Sequence, residues 1–218
     1  MPEPVSMAVL GGGIAGLFAR FLRRGFVEVK RTLDTVGACI LLVPFGPLIL
    51  VLALLVKLTS RGPAFFTQVR VGKDGRLFNM IKLRTMTVNA ENSTGPVWAR
   101  RSDPRITPLG LILRKTHLDE TPQLINVLRG EMSLIGPRPE RPYFVNQFRR
   151  SIPQYEGRLA VRPGITGLAQ VKHKYDETIE DVRTKLGYDL AYVHTMCWST
   201  DIKIALLTFR TLTGKNAR

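Results

Sequence analysis

Between Asp34 and Lys57 the chain runs through 22 uncharged residues, Thr35 to Val56, nearly all apolar. No other feature restricts the fold as much. A straight helix of that length measures about 33 Å, enough to cross a hydrocarbon core of about 30 Å. The middle reads Val43-Pro44-Phe45-Gly46-Pro47. A proline inside a helix removes a backbone donor and crowds the preceding turn, at about 3 kcal/mol. Pro44, Gly46 and Pro47 therefore predict a sharp bend. Basic residues stand on both sides: Arg20, Arg23, Arg24, Lys30 and Arg31 before the run, Lys57, Arg61, Arg70 and Lys73 after it. A true span carries its positive charge mainly on one side. A helix-break-helix that enters one leaflet and returns keeps both basic flanks on one face. A kinked single span remains the alternative, because membranes tolerate Pro kinks.

The charge balance points the same way. Lys and Arg number 32 against 17 Asp and Glu, a net +15, with a pI near 10.5 and mean hydropathy near zero. Such a field favours anionic partners: nucleic acid, an acidic membrane surface or phosphorylated substrates. Basic charge joined to high apolar content fits a protein resting on anionic lipid, where each cation contributes about 1 kcal/mol. Cys39 and Cys197 are the only cysteines, and their spacing gives no disulfide framework or zinc site. Both read as buried thiols in a reducing compartment. Residues 5–19 are apolar but glycine-rich, which disfavours a stable helix, and residues 1–27 read as an N-terminal extension.

From Ser60 the composition becomes globular. Residues 64–71 and 76–83 read as strands joined at Gly72-Lys73-Asp74-Gly75. Residues 87–104 read as a polar loop, and 109–115, 122–128 and 143–151 as helices. Pro163-Gly164 to Lys172 suggests a turn and short strand, and 178–211 a helix in two parts. Ile202, Ala205, Leu206, Phe209 and Leu212 recur at helical spacing, fitting an interfacial helix or a core helix equally. The expected fold is α+β and mainly helical: a membrane helix-break-helix over 28–59, then a domain over 60–213 with a small β-hairpin.

Inside this basic chain, Asp119 and Glu120 form an acidic doublet at an expected helix start. Asp119 or Thr121 could cap that helix, with Pro122 tolerated in its first turn. Plain capping would explain the pair structurally. The surrounding cations favour chemistry on an anion: Arg114, Lys115, Arg129 and Arg138 are close in sequence. A carboxylate approaching a phosphoryl group meets a repulsion of about 4 kcal/mol at 4 Å and an effective dielectric of 20. Arginines, a divalent metal or both must offset it. One carboxylate can then be nucleophile while its neighbour holds Mg²⁺. Lys82 and Arg84 fall on the same side of the second strand. Arg138 stands between two prolines of fixed φ. In Arg162-Pro163-Gly164-Ile165-Thr166-Gly167, glycines allow backbone N–H groups to converge on an anion, although an ordinary turn needs them too.

From about Lys30 to Leu212 the chain resembles the monotopic phosphoglycosyl transferases, or bacterial sugar transferases. The resemblance rests on Lys30-Arg31, Asp34, Pro47, Lys57 to Ser60, Gly62-Pro63, Lys82, Arg84 to Met86, Asp103 to Pro108, Leu118-Asp119-Glu120, Gly136 to Pro139, Pro163 to Gly167, Asp189, Tyr192 and Asp201. It implies transfer of a sugar 1-phosphate from a UDP-sugar to polyprenyl (undecaprenyl) phosphate, with UMP released. It further implies Asp119 as nucleophile in a covalent phosphosugar intermediate, Glu120 with Asp119 as the Mg²⁺ partners, and a re-entrant helix broken at Pro47. Lys82, Arg84, Arg114, Arg138, Arg162, Gly164 and Thr166 become candidate phosphate-binding residues. The implied location is the inner (cytoplasmic) membrane of a bacterium, with the catalytic domain on the cytoplasmic face and anionic lipids around it. Nucleic acid is not an expected partner, and homo-oligomerisation stays open. Gly46 stands where the family usually has Ser, Pro44 is additional, and Leu83, His117, His194 and Cys197 also depart from the usual pattern. The architecture expected is the small form without an extra N-terminal membrane domain. A non-catalytic membrane-attached binder of anionic lipid or nucleic acid would explain the charge but gives the acidic doublet no task.

Overall fold

The computed structural model describes residues 6–88, 90, 103–173 and 178–213, with backbone alone for 6–24 and 212–213. Helix α1, Ser6–Thr59, contains Pro44 and Pro47 and remains helical through both. The expected separation into two helices is corrected on this point. Proline's fixed φ is itself helical, so the lost hydrogen bonds need not unwind the chain. The helix also takes in residues 6–24, whose glycines argued against it. One apolar segment, Gly25–Thr59, has the length and hydropathy to associate with a membrane.

Strands β1, Phe65–Val71, and β2, Leu77–Leu83, pair antiparallel from Phe65↔Leu83 to Val71↔Leu77. Their link uses Asp74 at φ 55° and Gly75 at φ 77°, the left-handed conformations that short polar residues and glycine adopt most readily. Helix α2, Pro108–Lys115, starts where the Thr107 hydroxyl accepts from Gly110 N–H at 3.0 Å and Pro108 occupies the first turn. A 3₁₀ turn, Leu118–Glu120, leads into α3, Gln123–Leu128. Strand β3, Ser133–Ile135, pairs in parallel with β4, Gly164–Thr166. Helix α4, Pro142–Ser151, and a 3₁₀ segment, Tyr155–Ala160, lie between them in sequence. Residues after β4 form α5, Leu168–Lys172, so the expected strand covers only the first part of that stretch. Helices α6, Ile179–Thr195, and α7, Trp198–Thr213, complete the chain. A capping box of Thr178 and Asp181 begins α6.

The α1 helix is part of the core along much of its length. Ala38 is buried with Phe78, Met80, Leu124, Val127 and Met132. About four to five turns later, Leu52, Ala53 and Val56 are buried with Leu83 and Leu113. The opposite face exposes Ile40, Val43, Leu50, Leu54 and Leu58. A third cluster joins α4 to α6 through Phe144, Phe148, Tyr155, Val182 and Leu186. The doublet therefore sits on a short turn anchored between α1, β2 and α3.

Candidate active site

The two acids of the doublet have different surroundings. Glu120 is clamped: its Oε1 accepts from Lys82 Nζ at 2.6 Å and from Arg138 Nη2 at 2.5 Å, and its Oε2 from Arg138 Nη1 at 3.1 Å. Burial alone would raise its pKa, but Arg138 and Lys82 more than offset this and hold the carboxyl well below the ordinary range. Asp119 is 7% exposed, and its carboxylate makes no hydrogen bond or ion pair among the described residues. Burial pushes its pKa up, and nearby Glu120 adds to the rise while Lys82, Arg114 and Arg138 oppose it. One acid is thus a fixed anion, and the other a desolvated carboxylate without a partner.

Neither Asp119 nor Thr121 caps α3. Pro122 takes the cap position without a side-chain bond, and Thr121 Oγ1 donates back to Leu118 O at 2.7 Å. His117, at φ 55°, supplies the reversal that turns the 3₁₀ segment away from α2. This frees Asp119 from the capping task that sequence alone allowed it.

Three of the expected cations converge on the doublet: Lys82 from β2, Arg138 from the Pro137–Pro139 segment and Arg114 from the end of α2. Arg114 Nε donates to Thr85 Oγ1 at 2.9 Å, and its terminal nitrogens make no hydrogen bond among the described residues. Arg84 is placed elsewhere. It donates to the carbonyls of Arg61 at 2.7 Å and Ser60 at 2.8 Å, bracing the turn by which the chain leaves α1. Arg162 Nε donates to Gly130 O at 3.0 Å, away from the acids. Gly164 N–H donates to Pro137 O at 2.9 Å, and a Cβ there would lie 2.1 Å from Gly136 N. Its glycine serves close strand packing instead of an anion loop. Thr166 Oγ1 meets Thr208 Oγ1 at 2.7 Å, tying β4 to α7. Strand position was a poor guide for Arg84, because β2 ends one residue before it. The glycines could not reveal which backbone they approach.

Among the described residues, no group of three or more His, Cys, Asp or Glu side chains forms. Mg²⁺ needs only one or two carboxylates when water and substrate phosphates complete its shell. The partnerless Asp119 carboxylate and Glu120 Oε2, which accepts only one bond among the described residues, fit that requirement.

Residues that sequence reasoning did not place at the site support the arginine segment. Arg70 Nη1 donates to Pro139 O at 2.9 Å, and Arg158 Nη2 to Arg138 O at 2.7 Å. Both contacts join residues distant in sequence, and no local spacing could have disclosed them.

Comparison with known proteins identifies relatives of the chain. The UDP-N-acetylgalactosamine-undecaprenyl-phosphate N-acetylgalactosaminephosphotransferase of Aeromonas hydrophila is 47% identical over 194 residues, 88% of this chain and 46% of that protein. The UDP-glucose:undecaprenyl-phosphate glucose-1-phosphate transferase of Caulobacter vibrioides is 45% identical over 185 residues, 84% of this chain and 69% of the relative. A Klebsiella pneumoniae protein of the same description is 42% identical over 191 residues, 86% and 41% of the two chains. The chain thus spans under half the length of two of these three relatives. The family model described as bacterial sugar transferase matches residues 26–215, and the chain belongs to that family.

Proposed function

We propose that this protein transfers a sugar 1-phosphate from a UDP-sugar to polyprenyl (undecaprenyl) phosphate, through a covalent phosphosugar intermediate, an acyl phosphate, on Asp119. The observation that carries the reading is the division between the paired acids. Glu120 is held ionised by Lys82 and Arg138, whereas Asp119 is desolvated and has no partner among the described residues. A carboxylate freed of hydration and hydrogen bonds is the better nucleophile, provided it is ionised.

In the first step Asp119 Oδ forms a bond to the sugar-bearing phosphorus, and the bond from that phosphorus to the bridging oxygen breaks. The bridging oxygen leaves with UMP. In the second step a phosphate oxygen of the lipid attacks the same phosphorus, and the Asp119 carboxylate is released. A polyprenyl diphosphate sugar results, and neither step requires a net proton. Arg114 would engage phosphate oxygens through its terminal nitrogens, while Lys82 and Arg138 keep the local field positive. Held by Asp119 and Glu120, Mg²⁺ would neutralise diphosphate charge.

The membrane arrangement follows from α1. Lys30 and Arg31 at the start of the apolar run contact Asp201 and the carbonyls of Val127 and Leu128. At its end, Val56 packs with Leu83 and Leu113. A span has its ends on opposite sides of the bilayer, but here both ends touch one globular body. This supports a membrane element over 28–59 that enters one leaflet only. Placing residues 60–213 on the cytoplasmic face of the inner membrane is part of the proposal, because the UDP-sugar donor has to reach them there. The relatives' descriptions differ in the sugar, so the transferred sugar is set by features that vary within the family. The expected polar loop 87–104 falls mainly on residues 91–102, outside the described residues.

The test is incubation of purified enzyme with UDP-sugars and Mg²⁺, without lipid acceptor. The expected result is up to one UMP per enzyme and an intact-mass increase of one phosphosugar, lost in Asp119→Asn. Turnover with lipid but no adduct would replace the covalent route by direct transfer with Asp119 as base. No UMP from any UDP-sugar would overturn the function and favour a binding protein.

A further inference from the structure

A second buried charge cluster lies behind Arg138 and makes no contact with the acidic doublet. Arg158 is 4% exposed and Asp189, on α6, 1%. Arg158 Nε and Nη2 both donate to Asp189 Oδ2, at 2.8 and 2.7 Å. Its Nη1 donates to Tyr155 Oη at 3.0 Å, and Nη2 also to the Arg138 carbonyl at 2.7 Å. The guanidinium therefore has a partner for each of its nitrogens. Its one bond toward the active site goes to the backbone of the residue that clamps Glu120.

A buried ion pair is a poor source of net stability, because desolvation offsets its attraction. What it can supply is a fixed geometry. Arg138 is flanked by Pro137 and Pro139, so its backbone has few ways to yield when one point is pinned. With the carbonyl fixed from behind, the side chain extends forward to a bidentate contact with Glu120. We propose that Arg158 and Asp189 are positioning residues for the transfer reaction, acting through the Arg138 backbone to hold the Arg138 guanidinium on Glu120. This rests on the function proposed above. Neither residue touches substrate; each acts only through Arg138.

The prediction is non-additivity, the signature of residues that work as one unit. Arg158→Lys keeps the charge and can reach Asp189, but cannot also hold both Tyr155 and the Arg138 carbonyl. In the full-length enzyme with UDP-sugar, Mg²⁺ and polyprenyl phosphate, Arg158→Lys is expected to lower kcat by about tenfold or more, with KM changed by less than about threefold. In an Arg138→Lys background, which keeps a cation but not the bidentate contact, the same substitution is expected to cost less than about twofold. A merely structural role lowers the fraction of competent enzyme by the same factor in both backgrounds, and counting competent sites by the UMP burst exposes it. Asp189→Asn carries the same comparison if Arg158→Lys does not fold. Equal losses in both backgrounds, or no loss in either, overturn the inference while leaving the function standing. A wild-type enzyme that turns over no UDP-sugar removes the function and this inference together.

Discussion

Asp119 and Glu120 are neighbours of the same charge, yet their removal should have opposite effects on stability. Asp119 is raised by burial, so folding draws its proton on at a higher pH than in the unfolded chain. Its contribution favours the fold at low pH and is lost as pH rises through the folded-state value. At neutral pH the ionised carboxylate is a cost, and Asp119→Asn should stabilise the fold by on the order of 1 kcal/mol while removing turnover. Thermal unfolding of the detergent-solubilised chain tests this; a clear fall in midpoint would mean that Asp119 has a structural partner. Glu120 is depressed, so its stabilisation is complete above its ordinary value of 4.5 and lost as pH falls through the folded-state value. Glu120→Gln leaves the half-buried Lys82 and Arg138 without their counter-charge and should cost about 1–3 kcal/mol at neutral pH. That difference from wild type should shrink on acidification below 4.5; a pH-independent difference would assign the loss to packing.

Among the secondary-structure elements, what the sequence disclosed was what depends on local chemistry. The Gly72-Lys73-Asp74-Gly75 turn disclosed the hairpin, and the helix read over 109–115 is α2, whose Thr107 cap the sequence reading did not identify. The acidic doublet and three of its cations were readable because a basic chain that retains adjacent acids is chemically unusual. Three points were not readable. Proline geometry is compatible with helix, so Pro44 and Pro47 do not end α1. Arg84 and Gly164 take partners from distant backbone, which spacing cannot encode. Arg158 and Asp189 meet across 31 positions for the same reason. The α1 helix still carries a test of topology. In a background with Cys39 and Cys197 replaced, single cysteines near Arg24 and near Lys73 should react with an impermeant reagent from the same side of the membrane. Labelling from opposite sides would establish a span. Helix α2 provides another: a Cβ on Gly110 would lie 2.1 Å from Thr85 O, so Gly110→Ala must push α2 off the hairpin. Overpacking of this kind should cost about 1–3 kcal/mol, and displacement of Arg114 should lower turnover as well.

The whole molecule presents apolar surface in more than one place, and α1 does not account for all of it. Helix α7 leaves Ile202, Leu206 and Phe209 each more than 60% exposed, while Ile204 on its other side is buried against Ile135 and Tyr192. The expected stripe thus lies on the exposed face in all its described members, Ala205 included, and Ile204, outside that stripe, makes the core contact. The start of α7 is fastened to the basic flank of α1, by Lys30 Nζ to Asp201 Oδ2 at 2.6 Å and by the edge-on contact of Phe26 with Trp198. The exposed face of α7 therefore begins where the apolar run meets its basic flank, the level at which an amphipathic helix lies in a bilayer interface. Replacing Ile202, Leu206 and Phe209 together by serine should leave the fold intact, because none of the three is buried. Vesicle co-sedimentation should then separate two contributions. With α1 retained, the triple variant should still bind vesicles containing anionic lipid at low salt, but release more readily than wild type as salt rises, because screening removes the electrostatic share. Wild-type and variant release curves that coincide would exclude α7 from the interface and leave membrane attachment to α1 alone.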